Sequence, residues 1–239
     1  TAASAAPSEP TRTEVKDALM QGGETYGKYG TIDNIIGPGV QNRWSAEGQA
    51  WIGYDLGEEK TVYALGLATL DGDKRKSRFD IDISADGENW ITVFSGETSG
   101  QSVLPEVFLL NNVKARYIRV FGRGNSVSAW NSYTEIRLWK DEAQLKLDQD
   151  NWDRYFNSGA INDKVGSVTK IKVVGVNTAG KDIELLDNSQ IVYESSDPKV
   201  ATVDQQGNVT ITGVGKASIN VTVTFGSTRR SASILVTAK

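Results

Sequence analysis

The sequence contains no cysteine and no histidine, the side chains on which many hydrolytic and metal-dependent enzymes rely. Without them there is no Ser–His–Asp or cysteine protease triad, no thiolate chemistry and no ordinary zinc site. General acid–base catalysis would fall to Asp, Glu, Lys or Tyr, and no paired constellation of these residue types stands out. The sequence therefore favours a protein that is not an enzyme.

A long apolar segment and an excess of positive charge are also missing. No apolar run reaches the ~18 residues of a membrane span, so we expect no transmembrane helix. The 239 residues carry 26 basic and 30 acidic side chains, a net charge of −4. Nucleic-acid binders usually present a broad basic surface, so we expect no nucleic-acid partner. Residues 72–78 (GDKRKSR) are a local exception, with four cations and one aspartate.

Short strands separated by turn signals dominate from about residue 50 onward. Phe79, Ile81 and Ile83 alternate with polar residues, which is the period of a strand with one buried face. The regular spacing of seven or more such strands predicts a β-sandwich in the first part of the chain. A second series of strand-like segments after residue 166 predicts another, smaller sandwich. The predicted fold class is all-β.

Composition divides the chain into four parts. Residues 1–13 are small, polar and proline-containing, as expected for a linker or leader. Residues 14–140 form the first predicted domain, and residues 141–165 are polar and charged, which is typical of an interdomain segment. Residues 166–239 form the second predicted domain. We expect the protein to be a monomer.

Five sequence blocks in the first domain resemble the discoidin, or coagulation factor 5/8 type C, family, and they occur in the family's order. The blocks are NRWS (42–45), WIGYDLG (51–57), SADGENW (84–90), ARYIRV (115–120) and GNS with WNSYTEI (124–136). The last block is most similar to family 32 carbohydrate-binding modules. The resemblance implies a jelly-roll β-sandwich that binds a carbohydrate.

Three tryptophans of these blocks, Trp44, Trp51 and Trp90, lie beside strand starts. Large aromatic side chains close the ends of a small sandwich core, so we interpret them as core residues rather than ligand contacts. Arg43 is expected to pair with an acidic neighbour such as Asp55.

The family resemblance also implies one structural calcium ion. Its ligand positions correspond to Asp33 and Asn42 in a lengthened loop, and to Glu135 in the last strand. Carboxylate, amide and backbone oxygens suit calcium's flexible coordination. The alternative is that Asp33 caps a turn and Glu135 pairs with an arginine.

Three segments carry the residue types that a sugar site requires, since arginine and lysine meet carboxylates and a flat aromatic ring packs on the sugar. They are the loops 72–78 and 122–133 and an early segment with Tyr26 and Tyr29. The candidate ligand-binding residues are Lys74, Arg75, Arg78, Asn125, Trp130 and Asn131. Residues 72–84 also resemble modules attached to alginate lyases, which implies an acidic, uronate-containing polysaccharide. Three alternatives stay open: a solvated basic turn, a Trp130 that braces its own loop, and a left-handed Asn125 that holds the loop.

The second domain resembles the bacterial immunoglobulin-like group 2 domain through SSDPKVATVD (195–204), GNVT (207–210) and GVGKASI (213–219). That resemblance implies a spacer or adhesion module of bacterial secreted or cell-surface proteins. The leading hypothesis is a non-catalytic pair of modules that tethers a covalently linked polysaccharide-degrading domain to its substrate. The second hypothesis is a surface adhesin or architectural module that binds a host or cell-wall glycan or protein.

Overall fold

The computed structural model describes residues 12–23, 31–32, 43–150, 153–156, 159–176, 182–183, 190–225 and 228–239. These residues form two β-rich units and one helix, which confirms the predicted all-β class. No helix among them has the length and apolar character needed to cross a bilayer.

The described residues of the first unit form seven strands. They are β1 (Asp17–Gln21), β2 (Trp44–Glu47), β3 (Ala50–Thr69), β4 (Ser77–Ser84), β5 (Ile91–Glu97), β6 (Glu106–Asn125) and β7 (Trp130–Trp139). The sheet order is β2-β7-β3-β6-β4-β5, and β1 pairs with β3. The first half of β3 pairs with β1 and its second half with β7. One antiparallel sheet therefore folds over into the two layers of the predicted sandwich.

Large aromatic side chains fill the core of this sandwich. Trp44, Tyr54, Phe79 and Tyr133 are each at most 1% exposed, and the rings of Trp44 and Tyr133 lie 5.2 Å apart. Burial raises the pKa of the Tyr54 and Tyr133 hydroxyls far above the ordinary value, so both stay neutral. Each such aromatic side chain contributes about 1.5–3 kcal/mol of hydrophobic stabilisation.

Strand register places several turns at the same end of the sandwich, which we call the loop end. Gln21 pairs with Trp51, Ser77 with Asn125, and Glu47 with Trp130. The described turns of the loop end are residues 22–23, 48–49, 70–76, 98–105 and 126–129. The loop end therefore contains both segments in which ligand-binding residues are predicted.

Residues 141–165, expected to be an interdomain segment, contain a helix and two strands instead. The helix α1 (Glu142–Asp150) packs on the first unit through Leu145, which belongs to one buried cluster with Ala64 and Trp139. Strands β8 (Asp153–Phe156) and β9 (Ile161–Asp163) pair with strands of the second unit. The sequence misses this division because α1 is short and carries mainly polar and charged residues.

The described residues of the second unit form ten strands, β8 to β17. Those after β9 are β10 (Val168–Lys170), β11 (Val173–Val176), β12 (Asp182–Ile183), β13 (Gln190–Ser195), β14 (Ala201–Val203), β15 (Asn208–Ile211), β16 (Gly215–Phe225) and β17 (Thr228–Ala238). They form the sheets β13-β16-β17-β9, β10-β15-β14 and β12-β11-β8. Ile219, Val221, Ile234 and Val236 alternate along β16 and β17 and are fully buried. This period of two is the pattern of strands with one buried face.

Candidate functional site

The basic loop and the loop between β6 and β7 are in direct contact at the loop end. The Ser126 N–H donates to the Lys76 carbonyl at 2.8 Å, and the Lys76 N–H donates to Ser126 Oγ at 3.1 Å. Arg78 Nη2 donates to the Asn125 carbonyl at 3.0 Å. Two segments that lie about 50 residues apart in the sequence therefore form one continuous surface.

The three predicted cations of the basic loop differ in how freely they face solvent. The Lys74 side chain is 69% exposed, and its Nζ lies 3.7 Å from Asp71 Oδ1. Arg78 is exposed, and no carboxylate of the described residues lies within ion-pair distance of it. Arg75 is 18% exposed, and its Nε donates to the Leu70 carbonyl at 3.1 Å. Lys74 and Arg78 are therefore presented outward, whereas Arg75 also braces its own loop.

Asn125 is buried and holds the loop between β6 and β7 together. Its Oδ1 accepts hydrogen bonds from the Val127 and Ser128 N–H groups, and its Nδ2 donates to the Trp130 carbonyl at 2.6 Å. Because Arg78 donates to the Asn125 carbonyl, this residue connects the basic loop to Trp130. The left-handed conformation expected for Asn125 belongs to Gly124 instead, whose φ is 77°.

Asn131 is also buried, at 1% exposure, and its side chain bonds protein backbone on both sides. Its Oδ1 accepts from the Gly124 N–H at 2.8 Å, and its Nδ2 donates to the Gly48 carbonyl at 2.8 Å. Asn125 and Asn131 are predicted sugar contacts, and the structure shows that the side chains of both support the loops. Trp130, in contrast, is 42% exposed.

Trp51 and Trp90 do not belong to the core, unlike Trp44. They lie half-buried on the outer face of the sheet with their ring centroids 5.9 Å apart. The Arg119 guanidinium lies 4.1 Å from the Trp90 ring centroid and 5.3 Å from that of Trp51. Arg119 Nε donates to Asp82 Oδ2 at 2.8 Å. The prediction that Trp51 and Trp90 are core residues is therefore wrong, and their rings stabilise the surface of the sheet through cation–π contacts with Arg119.

Two more arginines of β6, Arg116 and Arg123, also pair with an aspartate and lie over an aromatic ring. Arg116 pairs with Asp55, which corrects the expected pairing of Asp55 with Arg43; Arg43 Nε donates to Ser45 Oγ. The Arg116 hydrogen bond lowers the pKa of Asp55 and raises that of Arg116.

Arg123 donates to Asp80 from Nε and Nη2. Burial acts to raise the pKa of Asp80, but hydrogen bonds from Arg123 and Ser95 outweigh it and the pKa is lowered. The series Arg116, Arg119 and Arg123 is not among the residues predicted from the sequence. Its signal is an arginine every three or four residues on β6, with aspartates on the two neighbouring strands: Asp80 and Asp82 on β4, and Asp55 on β3.

Glu135, the predicted calcium ligand of the last strand, is fully buried between two arginines. Its Oε1 accepts hydrogen bonds from Arg137 Nε at 2.6 Å and Arg12 Nη1 at 3.0 Å. Asp33 and Asn42 lie outside the described residues. Among the residues that are described, no group of three acidic side chains could hold a metal ion. The arginine pairing foreseen as the alternative is therefore present, and the calcium site stays a prediction.

These observations define a β-sandwich binding module with its polar loops gathered at one end. The family model of the F5/8 type C domain matches residues 12–136, and the chain belongs to this family. Residues 188–224 match the intimin immunoglobulin-like domain. The chain is thus an F5/8 type C domain followed by a bacterial immunoglobulin-like domain, as the sequence blocks predicted.

Solved structures identify the type of F5/8 domain. The family 32 carbohydrate-binding module of AlyQ, solved in complex with 4,5-unsaturated mannuronic acid, is 34% identical with a TM-score of 0.50. It covers 54% of this chain and 98% of its own. A truncated AlyQ with this module and an alginate lyase domain is 21% identical with a TM-score of 0.50, over 93% of this chain and 73% of its own, which shows likeness of fold alone.

A curated relative is the polysaccharide lyase 8 family protein HylA of Enterococcus faecalis. It is 29% identical over 88% of this chain, and the chain spans 16% of that protein's length. The first unit is a family 32 carbohydrate-binding module, and both matched domain types are non-catalytic.

Proposed function

We propose that this chain is a module pair that binds an acidic, uronate-containing polysaccharide through its loop end. The observation that carries the proposal is the junction of the basic loop with the Trp130 loop. Lys74 and Arg78 present exposed cations there, and Trp130 presents an exposed ring. Cations recognise uronate carboxylates, and an aromatic ring packs against the apolar face of the sugar.

Charge distribution supports an anionic ligand despite the net charge of −4. Lys76 pairs with Glu97, and Arg123 pairs with Asp80, so neither adds to the unpaired charge of this surface. Arg78 has no carboxylate partner among the described residues and therefore keeps its charge for a ligand. The mannuronate-derived ligand of the AlyQ module is of the same chemical class.

The binding would serve as a tether for a catalytic domain in a secreted bacterial enzyme. Weak binding to a polymer raises the effective concentration of any domain linked to it. HylA and AlyQ carry similar segments within polysaccharide lyases, which supports this role. The second unit would act as a spacer, and the chain itself as a monomer.

Substitution of the exposed loop-end residues tests the proposal. Binding of a mannuronate disaccharide is measured by isothermal titration calorimetry for Lys74→Gln/Arg78→Gln and for Trp130→Ala. We expect at least ~10-fold weaker binding from either variant, and thermal unfolding verifies that each variant stays folded. Lys199→Gln, an exposed lysine of the second unit, is the matched control. Undiminished binding by both variants would refute the loop-end site.

We also propose that the first unit holds one structural calcium ion through Asp33, Asn42 and Glu135. The carbonyl of Thr31, close to the last described residue before Asp33, accepts a hydrogen bond from the Ile136 N–H at 2.7 Å. The chain therefore enters this loop directly beside Glu135. Oxygen ligands of this kind suit calcium, which would fix the loop without taking part in sugar chemistry.

The match of the second unit to an intimin domain favours one other function, that of a surface adhesin. In that case the loop end would bind a host or cell-wall glycan or protein instead of a substrate. The domains that flank this segment in the full-length protein discriminate the two. A lyase or hydrolase domain supports the tether, whereas a cell-wall anchor with repeated immunoglobulin-like domains supports the adhesin.

A further inference from the structure

Three arginines of β6, Arg116, Arg119 and Arg123, form a series that the loop-end site does not use, and we call it the arginine row. Each guanidinium lies over an aromatic ring. The distances to the ring centroid are 4.9 Å from Arg116 to Tyr117, 4.1 Å from Arg119 to Trp90 and 5.3 Å from Arg123 to Phe121. Stacking on a ring fixes the plane of a guanidinium and leaves its N–H edge to bond a planar anion.

Burial is unequal within each ion pair of the row. The Arg123 side chain is 51% exposed and that of its partner Asp80 is 8% exposed. The corresponding values are 40% and 14% for Arg116 and Asp55, and 16% and 6% for Arg119 and Asp82. The carboxylates lie beneath the guanidinium groups, so each pair is neutral overall, but solvent meets guanidinium and aromatic groups rather than carboxylates.

The guanidinium groups also keep donors to offer. Each has five N–H groups. Arg119 bonds described residues through Nε, and Arg116 and Arg123 do so through Nε and Nη2. Within the described part of the chain, at least three N–H groups of each guanidinium therefore have no protein acceptor.

The row is long and continuous with the loop end. At about 3.3 Å per residue, the seven steps from Arg116 to Arg123 span about 23 Å, which is longer than one sugar. Asn125, two residues beyond Arg123, accepts the hydrogen bond from Arg78. A chain bound at the loop end can therefore continue along β6.

We propose that the arginine row is a second contact surface for a polyanionic glycan, along which a uronate chain held at the loop end extends. The choice of ligand class rests on the proposed function, whereas the surface itself rests on the geometry of β6. The row adds contacts that a disaccharide cannot reach. Affinity should therefore rise with chain length beyond the statistical gain expected from the number of overlapping binding positions along the chain.

Substitutions that remove both members of an ion pair test the arginine row. They leave no buried carboxylate without its arginine and do not change the net charge. The variant combines Arg116→Gln/Asp55→Asn with Arg123→Gln/Asp80→Asn. The Asp55→Asn change keeps a side-chain oxygen that can accept the hydrogen bond from the Gly57 N–H. Lys199→Gln/Glu194→Gln, an exposed net-neutral change in the second unit, is the control. Thermal unfolding verifies that each variant folds.

Binding of a mannuronate disaccharide and of long polymannuronate is measured for each protein. We expect the variant to bind the polymer ~10-fold more weakly and the disaccharide as the wild type does. Polymer binding equal to that of the wild type would overturn the arginine row and leave the loop-end site standing. Polymer binding that depends on the row without any disaccharide binding would support the row and refute the loop-end site. If neither ligand binds, both proposals fail.

A measurement on the wild-type protein tests the arginine row even if the variant fails to fold. Arginine Nε–H signals are followed by nuclear magnetic resonance as polymannuronate or the disaccharide is added. Shifts of Arg116 and Arg119 with the polymer alone support the row. Shifts confined to Arg75 and Arg78 with both ligands would overturn it.

Discussion

Arginines lie at both ends of the first unit, and the two ends use them differently. At the loop end Arg78 is exposed and bonds a backbone carbonyl. Where β7 ends, Arg12 and Arg137 lie against Glu135 and Asp148, which are at most 4% exposed. We call these four residues the buried charge cluster. It joins the start of the described chain, strand β7 and helix α1.

The difference teaches that an arginine's partner and burial decide its role. Charges removed from water must be paired with good geometry, because an uncompensated buried charge is strongly destabilising. A charged group that stays in water needs no ion-pair partner and contributes little to stability. The buried charge cluster therefore fixes α1 on the sandwich, whereas the loop-end cations are available for a ligand.

The largest expected effect follows from breaking the buried charge cluster at Asp148. Asp148 Oδ2 accepts hydrogen bonds from Arg12 Nε at 2.8 Å and Trp139 Nε1 at 3.2 Å. Asp148→Ala leaves both donors without this acceptor and should lower the free energy of unfolding by about 3–5 kcal/mol. Urea unfolding measures the loss. Lys146→Ala, an exposed change in the same helix, should alter stability by less than about 0.5 kcal/mol.

If Asp148→Ala and Lys146→Ala cost the same, α1 is not held by this cluster and the contrast between the two ends fails. Sugar binding sharpens the comparison further. Asp148→Ala should leave the disaccharide affinity of the still-folded protein unchanged, because the loop end lies at the other end of β7.

The second prediction asks whether a cation shares Glu135 with the two arginines. If the proposed calcium ion binds only the folded state, calcium at 100 times its dissociation constant should stabilise the protein by about 2.7 kcal/mol. Thermal unfolding with calcium and with a chelator measures this, and Glu135→Gln should abolish the difference. An identical melting temperature with calcium and with chelator would show that Arg12 and Arg137 alone neutralise the carboxylate.

Much of the fold was predictable because strand patterns and turn signals are local. The alternation of Phe79, Ile81 and Ile83 marks β4, and two of the three residues are fully buried. Helix α1 was not predictable in this way. Its anchors to the first unit, Leu145 and Asp148, depend on partners far away in the sequence or on other strands.

The features of the candidate site were visible in the sequence in part for the same reason. The density of charge in residues 72–78 is visible in sequence, and so is the Trp130 loop. Which amides face inward depends on tertiary contacts, since Asn131 is buried by the turn between β2 and β3. The arginine row could not be predicted because its members alternate with core residues of β6. Their acidic partners lie on β3 and β4, far away in the sequence.

The smallest expected effect concerns the ion pairs between the two ends, those of Asp55 and Asp80. The pKa of each carboxyl is lowered from 3.8 in the folded protein: the Arg116 hydrogen bond lowers that of Asp55, and at Asp80 burial is outweighed by hydrogen bonds. A lowered folded-state pKa gives stability that is complete above the unfolded value and is lost as the pH falls through the folded value. The free energy of unfolding of the wild type should therefore decline as the pH drops below about 4.

Arg116→Gln/Asp55→Asn with Arg123→Gln/Asp80→Asn should show a shallower decline, measured by urea unfolding across this range. Equal slopes would mean that these pairs contribute nothing to folding, and the arginine row would then differ from the buried charge cluster in kind as well as in exposure.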